Sequence, residues 1–134
     1  MARIHALLFL VEAIVVGLVI AIFRLIENRI VAGGVAGTVF VLLGLLIVIL
    51  VWKKGGRWKA LSLYAGGVHL FGVALPLLIT RMMNTSMPFD AMFVWGLPGP
   101  VFHKMSNYVY LVMMATTVVD WARAKFGRLE AARV

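Results

Sequence analysis

Cysteine is absent from this 134-residue chain, and carboxylates are nearly so, with five Asp and Glu against thirteen Lys and Arg. The first absence excludes a disulfide framework, a thiolate nucleophile and any Cys-ligated zinc or iron–sulfur site. Also missing are a P-loop, a nucleophile elbow, an H-E-x-x-H pair and a dinucleotide fingerprint, so nothing in the residues supports enzymatic chemistry. Charged residues of either sign make up only 13% of the chain, whereas 63% is hydrophobic. A water-soluble domain of this size needs far more polar surface, so the solvent for most of the chain is lipid.

What is present is a set of long apolar runs. Residues 4–23, 30–52, 60–80 and 106–122 are each separated by charged or proline-bearing connections. About 20 apolar residues cross a hydrocarbon core of about 30 Å, and the fourth run is near the short limit. Lipid offers no partner to an unpaired backbone amide, so each run is expected to be a helix. The fold class predicted is an all-α integral membrane protein, one membrane domain over 1–134, built as an antiparallel four-transmembrane-helix bundle. Glu12 inside the first run and the lack of an A-x-A-like site read that run as a retained span rather than a signal peptide.

The net charge of +8 would point a soluble protein toward nucleic acid, but topology explains it here, and no nucleic-acid partner is expected. Arg3, Lys53, Lys54, Arg57, Lys59, Arg123, Lys125, Arg128 and Arg133 fall on one side, whereas the other side holds Arg24, Arg29, Arg81 and Lys104. The positive-inside rule then predicts both termini and the middle loop inside, as in a bacterial cytoplasmic membrane, with a basic tail over 123–134. Trp52, Trp58 and Trp121 fall at the expected inner boundary, and Trp95 and Tyr108 toward the outer one. The outer connection 81–105 carries Pro88, Pro98 and Pro100, expected to forbid a regular helix, among Phe89, Met92, Phe93, Trp95 and Phe102. It is expected to lie in the interface or fold back onto the bundle mouth.

Glu12 and His69 are the informative ionisable residues, because such groups deep in a span usually face a bundle interior or a water-filled cavity. Glu12 is nine residues past Arg3 and His69 ten past Lys59. Both helices run outward, which puts each group about 14 Å from the inner boundary. The expectation is that they meet near the midplane, either as a proton-carrying or cation-binding pair or as polar glue between two helices. His69 is flanked by Gly66, Gly67, Gly72 and Pro76, so its helix is expected to be kinked or locally open.

Gly33, Gly37 and Gly44 on the second run, and Ala13, Gly17 and Ala21 on the first, form small-residue stripes that permit close helix contact, within the chain or between copies. Met82, Met83, Met87 and His103 supply soft donors that suit Cu(I), set against methionine as a flexible apolar filler, and no spacing fixes a geometry. Asp120, three residues before Arg123, reads as an interfacial salt bridge or solvated charge. His5, His69 and His103 stand at three different depths, which excludes a bis-histidine haem within one chain. His69 alone is left as a single ligand to haem or a pigment. No cofactor is required by the sequence, and bound lipid is expected.

In size, span count and a glutamate on the first helix, the chain resembles the small multidrug resistance transporters. That likeness rests on Glu12, and the Pro-rich outer connection and His69 depart from it. Two classes of function stay open. One is an accessory or scaffold subunit that binds other membrane proteins or itself. The other is a small oligomeric proton- or ion-coupled transporter or channel that uses Glu12 and His69.

Overall fold

The structure, a computed structural model, describes residues 1–131, with side chains through residue 127. Four long helices dominate it: α1 (Ala2–Leu25), α2 (Arg29–Lys54), α3 (Leu61–Met83) and α4 (Gly99–Ala131). A short hairpin, β1 (Phe93–Val94) paired antiparallel with β2 (Leu97–Pro98), lies between α3 and α4. Among the described residues, three helices, α1, α2 and α3, are long and apolar enough to cross a membrane. The protein is thus an all-α membrane protein in which α4 is the least apolar of the four rods. Ser106, Asn107, Thr116, Thr117 and Asp120 dilute its hydrophobic surface.

Each helix turns one narrow stripe inward. On α1 this is His5, Leu8, Glu12, Val15 and Ile22, a spacing of threes and fours that keeps one face toward the bundle. Leu8, Val15, Leu43, Ile47, Leu63, Tyr110 and Met113 form the main core, shared by all four helices. The outward faces carry Leu10, Ile14, Leu42, Ile49, Leu111 and Val118, all exposed. No more than a third of each apolar span is buried within the protein, so lipid or other helices must cover the rest.

The turn between α1 and α2 is held by Asn28, whose side chain accepts from the backbone N–H groups of Ile30 and Val31 and so caps α2. Arg29 Nη1 donates to the Phe23 carbonyl at 2.8 Å. At the opposite end, Gly56 (φ +108°) and Arg57 (φ +53°) turn the chain through two left-handed residues into a single 3₁₀ turn, Arg57–Lys59.

Between α3 and α4 the expectation from sequence needs correction. The connection is shorter than 81–105, because α3 continues to Met83 and α4 starts at Gly99. Pro100 sits in the first turn of α4, where its missing N–H would have had no partner anyway, so it starts the helix rather than forbidding it. The connection folds back: Val94 and Phe102 pack on Val73, and Arg81 is buried, donating to the Met87 carbonyl at 2.9 Å and to Met92 Sδ at 3.1 Å. At the other end α4 stays helical through Ala131, so residues 123–131 of the expected tail extend this helix. Arg128 and Arg133 lie outside the described side chains.

Candidate functional site

The helix bearing His69 changes character where the glycines cluster. Residues Val68–Ala74 form a π-helical segment between two α-helical stretches of α3. Such a segment widens the turn and loosens the hydrogen-bond ladder. Pro76 has no N–H to offer the Gly72 carbonyl four residues before it. Trp95 Nε1 donates to that carbonyl instead, at 3.1 Å, from a residue held at φ +54° at the tip of the hairpin. The local opening expected around Gly66, Gly67, Gly72 and Pro76 therefore takes the form of a π segment pinned from outside by an indole.

Glu12 is 0% exposed and His69 2% exposed. The direct pairing expected from sequence is not formed: the Glu12 carboxyl bonds to α4, and His69 packs its ring between α2 and α4. Thr117 Oγ1 donates to Glu12 Oε1 at 2.8 Å, and the Tyr110 hydroxyl donates to the Glu12 backbone carbonyl at 2.6 Å. His69 sits with its ring edge-on to Tyr110, centroids 5.6 Å apart, and edge-on to Phe40 of α2 at 5.8 Å. Tyr110 thus touches both members of the expected pair. The cluster is four-sided: Glu12 from α1, Phe40 from α2, His69 from α3, and Tyr110 and Thr117 from α4.

Three polar atoms of the cluster, Glu12 Oε2, His69 Nδ1 and His69 Nε2, are buried with no hydrogen-bond partner. Buried polar atoms are normally paired, and each exception in a native structure asks for a reason. The chemistry available is proton exchange. The Glu12 carboxyl and the His69 imidazole are both buried and share Tyr110 as a neighbour. Tyr110 and Thr117 could have been found in the sequence. With Met113 and Asp120 they follow a spacing of threes and fours, which marks one stripe of α4.

Asp120 belongs to that stripe too, and its expected role is overturned. It is buried, not solvated, and no bond to Arg123 holds it. Asp120 Oδ1 accepts from the Leu61 N–H at 3.1 Å, and Oδ2 accepts from the Ser62 N–H and the Ser62 hydroxyl, each at 2.7 Å. The α3 helix begins after Ala60, which has no side-chain cap to offer, so a carboxylate from another helix meets its orphan donors.

The remaining candidates separate. Gly33, Gly37 and Gly44 face α3. A Cβ on them would meet Arg81 Nε at 3.5 Å, Leu78 Cδ1 at 3.2 Å and Leu70 Cβ at 2.9 Å. On α1, Ala13 and Gly17 face outward, Ala21 is half-buried, and a Cβ on Gly17 would meet nothing within 4 Å. Met82, Met83, Met87 and His103 are all exposed, and the His103 ring lies against Phe89. Among the described residues no three His, Asp or Glu side chains gather as a metal site. His69 has Phe40 and Tyr110 edge-on against its ring.

His5, a heptad before Glu12 on the same stripe, ties α1 to the turn after α2, its Nε2 lying 3.0 Å from the Gly55 carbonyl. No family model, curated protein or solved structure matches this chain.

Proposed function

We propose that this is a four-span membrane protein whose Glu12–His69 cluster binds and releases a proton in proton- or ion-coupled transport. The observation that carries the reading is the set of unpartnered buried atoms, Glu12 Oε2 and both nitrogens of His69. Polar glue works by forming bonds between helices, and Glu12 Oε2 forms none. A site that exchanges a proton needs free lone pairs at mid-depth.

A crossing by α4 is supported by its contacts along α3 from the start to the middle of that helix, Asp120 with Leu61 and Ser62, and Phe102 with Val73. The distribution of basic residues supports an orientation with the Met1 end and the loop at 53–59 on the cytoplasmic side of a bacterial inner membrane. The π segment of α3 is the element best suited to open the site, since its ladder is already weakened next to His69.

A second reading, an accessory or scaffold subunit of a larger membrane complex, draws support from the α1 surface. There the outward Ala13 and Gly17 lie on the same helix as an apolar groove of about 410 Å³ that Val11, Leu18, Val39 and Leu42 line between α1 and α2.

Liposomes loaded with a pH-sensitive dye separate the two. Wild-type protein is expected to dissipate a proton gradient, and Glu12→Gln to abolish that flux while it still purifies as a folded species. Absence of flux from the wild type, with Glu12→Gln changing only what co-purifies, would favour the subunit reading.

A further inference from the structure

The two ends of the bundle treat their cations differently. At the hairpin end two of the four cations, Arg29 and Arg81, are tied to backbone carbonyls, whereas Arg24 and Lys104 are exposed. At the other end Arg3, Lys53, Lys54, Arg57, Lys59, Arg123 and Lys125 are all exposed. Among the described side chains the carboxylate at this end is Asp120, buried and committed to Leu61 and Ser62. Glu27 and Asp90 belong to the far end, and Glu12 is buried in the bundle. Among the described side chains, none supplies a counter-charge to this collar.

Aromatic rings are set among these cations. Trp52 and Trp58 pack perpendicular to one another with centroids 4.6 Å apart, and Trp58 is 64% exposed. Their geometry is built, since the left-handed pair Gly56 and Arg57 reverses the chain and the Tyr64 hydroxyl donates to the Trp58 carbonyl at 3.1 Å. Across the end, Lys125 Nζ lies 4.9 Å from the Trp121 ring centre. Indoles half in apolar and half in polar surroundings mark the depth of lipid headgroups.

We infer that the loop at residues 53–59, with the neighbouring Arg123 and Lys125, is a docking surface for the headgroups of anionic phospholipids. Lys53, Lys54, Arg57 and Lys59 would engage the phosphates, and the Trp52–Trp58 pair would pack between headgroup and acyl chain. Clusters of four or more juxtamembrane cations hold anionic lipids by charge. A soluble polyanion would meet the same cations but give the exposed indoles no apolar neighbour. The inference does not depend on the proton-binding reading, since it involves neither Glu12 nor His69.

The test uses the full chain in nanodiscs of equal phosphatidylcholine and phosphatidylglycerol, with native mass spectrometry counting the lipids retained on the released protein. Wild type is expected to retain phosphatidylglycerol in excess. The quadruple variant Lys53→Gln, Lys54→Gln, Arg57→Gln, Lys59→Gln is expected to lose that excess by roughly tenfold, and Arg24→Gln with Lys104→Gln, at the other end, to keep it. Equal retention of the two lipids by wild type, or equal loss in both variants, overturns the proposal. If the quadruple variant does not fold, wild type at rising salt decides: an enrichment that does not fall with salt contradicts a charge-driven site. Capture of a short oligonucleotide by wild type in pure phosphatidylcholine nanodiscs, with no preference for phosphatidylglycerol, would assign the surface to nucleic acid instead and also overturns the proposal.

Discussion

Asp120 and Glu12 are both acids buried in an apolar bundle, and both meet a hydroxyl from a neighbouring helix. Asp120 receives three donors, the N–H groups of Leu61 and Ser62 and the Ser62 hydroxyl, which occupy both of its oxygens. Glu12 receives one on its carboxyl, from Thr117, and its second oxygen has none. The first arrangement is what a structural role demands, because an orphan helix terminus in lipid costs stability that a carboxylate recovers. The second leaves stability unrealised at a point where the fold could have closed the gap, which is the pattern expected where exchange of a proton matters more than holding helices together.

Substitutions sharpen that contrast. The largest effect is expected for Asp120→Ala, which strands the Leu61 and Ser62 donors and should lower unfolding stability by about 3 kcal/mol, read as a fall in melting temperature in detergent. A loss no greater than that of a surface substitution would show that Asp120 is not the clamp. Next, Gly66→Ala puts a Cβ at 2.7 Å from Ile47 Cγ2 and should cost about 2 kcal/mol by overpacking. Gly17→Ala, with nothing within 4 Å, should unfold with the wild type. Similar losses in the two would contradict the assignment of these glycine faces. Tyr110→Phe removes the bond to the Glu12 carbonyl at a cost of about 1 kcal/mol, measured in the same way. An unchanged melting temperature would show that this hydroxyl contributes nothing. Smallest among the polar side chains is Glu12→Gln, whose amide oxygen can still accept from Thr117 and whose cost should stay under about 1 kcal/mol. A Glu12→Gln protein less stable than Asp120→Asn would reverse the comparison.

The sequence made α1, α2 and α3 legible because length and apolarity alone define such spans. It blurred α4, whose inward face carries Tyr110, Thr117 and Asp120, so that its average hydropathy drops although its helix is the longest at 33 residues. Pro100 looks like a breaker in the sequence because a proline at a first turn and one at a helix interior are alike without the boundary. At the site, Glu12 and His69 stood out as ionisable groups in apolar runs. Their partners did not, since a Thr and a Tyr in a span draw no attention until their shared stripe on α4 is traced. Asp120 misleads for a related reason. Its neighbour Arg123 is visible three residues along the chain, whereas its true partner Ser62 is 58 residues away. The Trp95 bond to Gly72 was beyond reach for the same cause, because it depends on where a hairpin folds back.

The most direct test is infrared difference spectroscopy of the protein in lipid, following the carboxylic-acid band of Glu12 through a pH titration, with Glu12→Gln to assign it. A band that appears and disappears reversibly while the helical amide signal stays constant, is absent from Glu12→Gln and moves in Thr117→Ala, is the predicted result. A Glu12 carboxyl locked in one protonation state over the whole range in which the bundle stays folded would contradict the account.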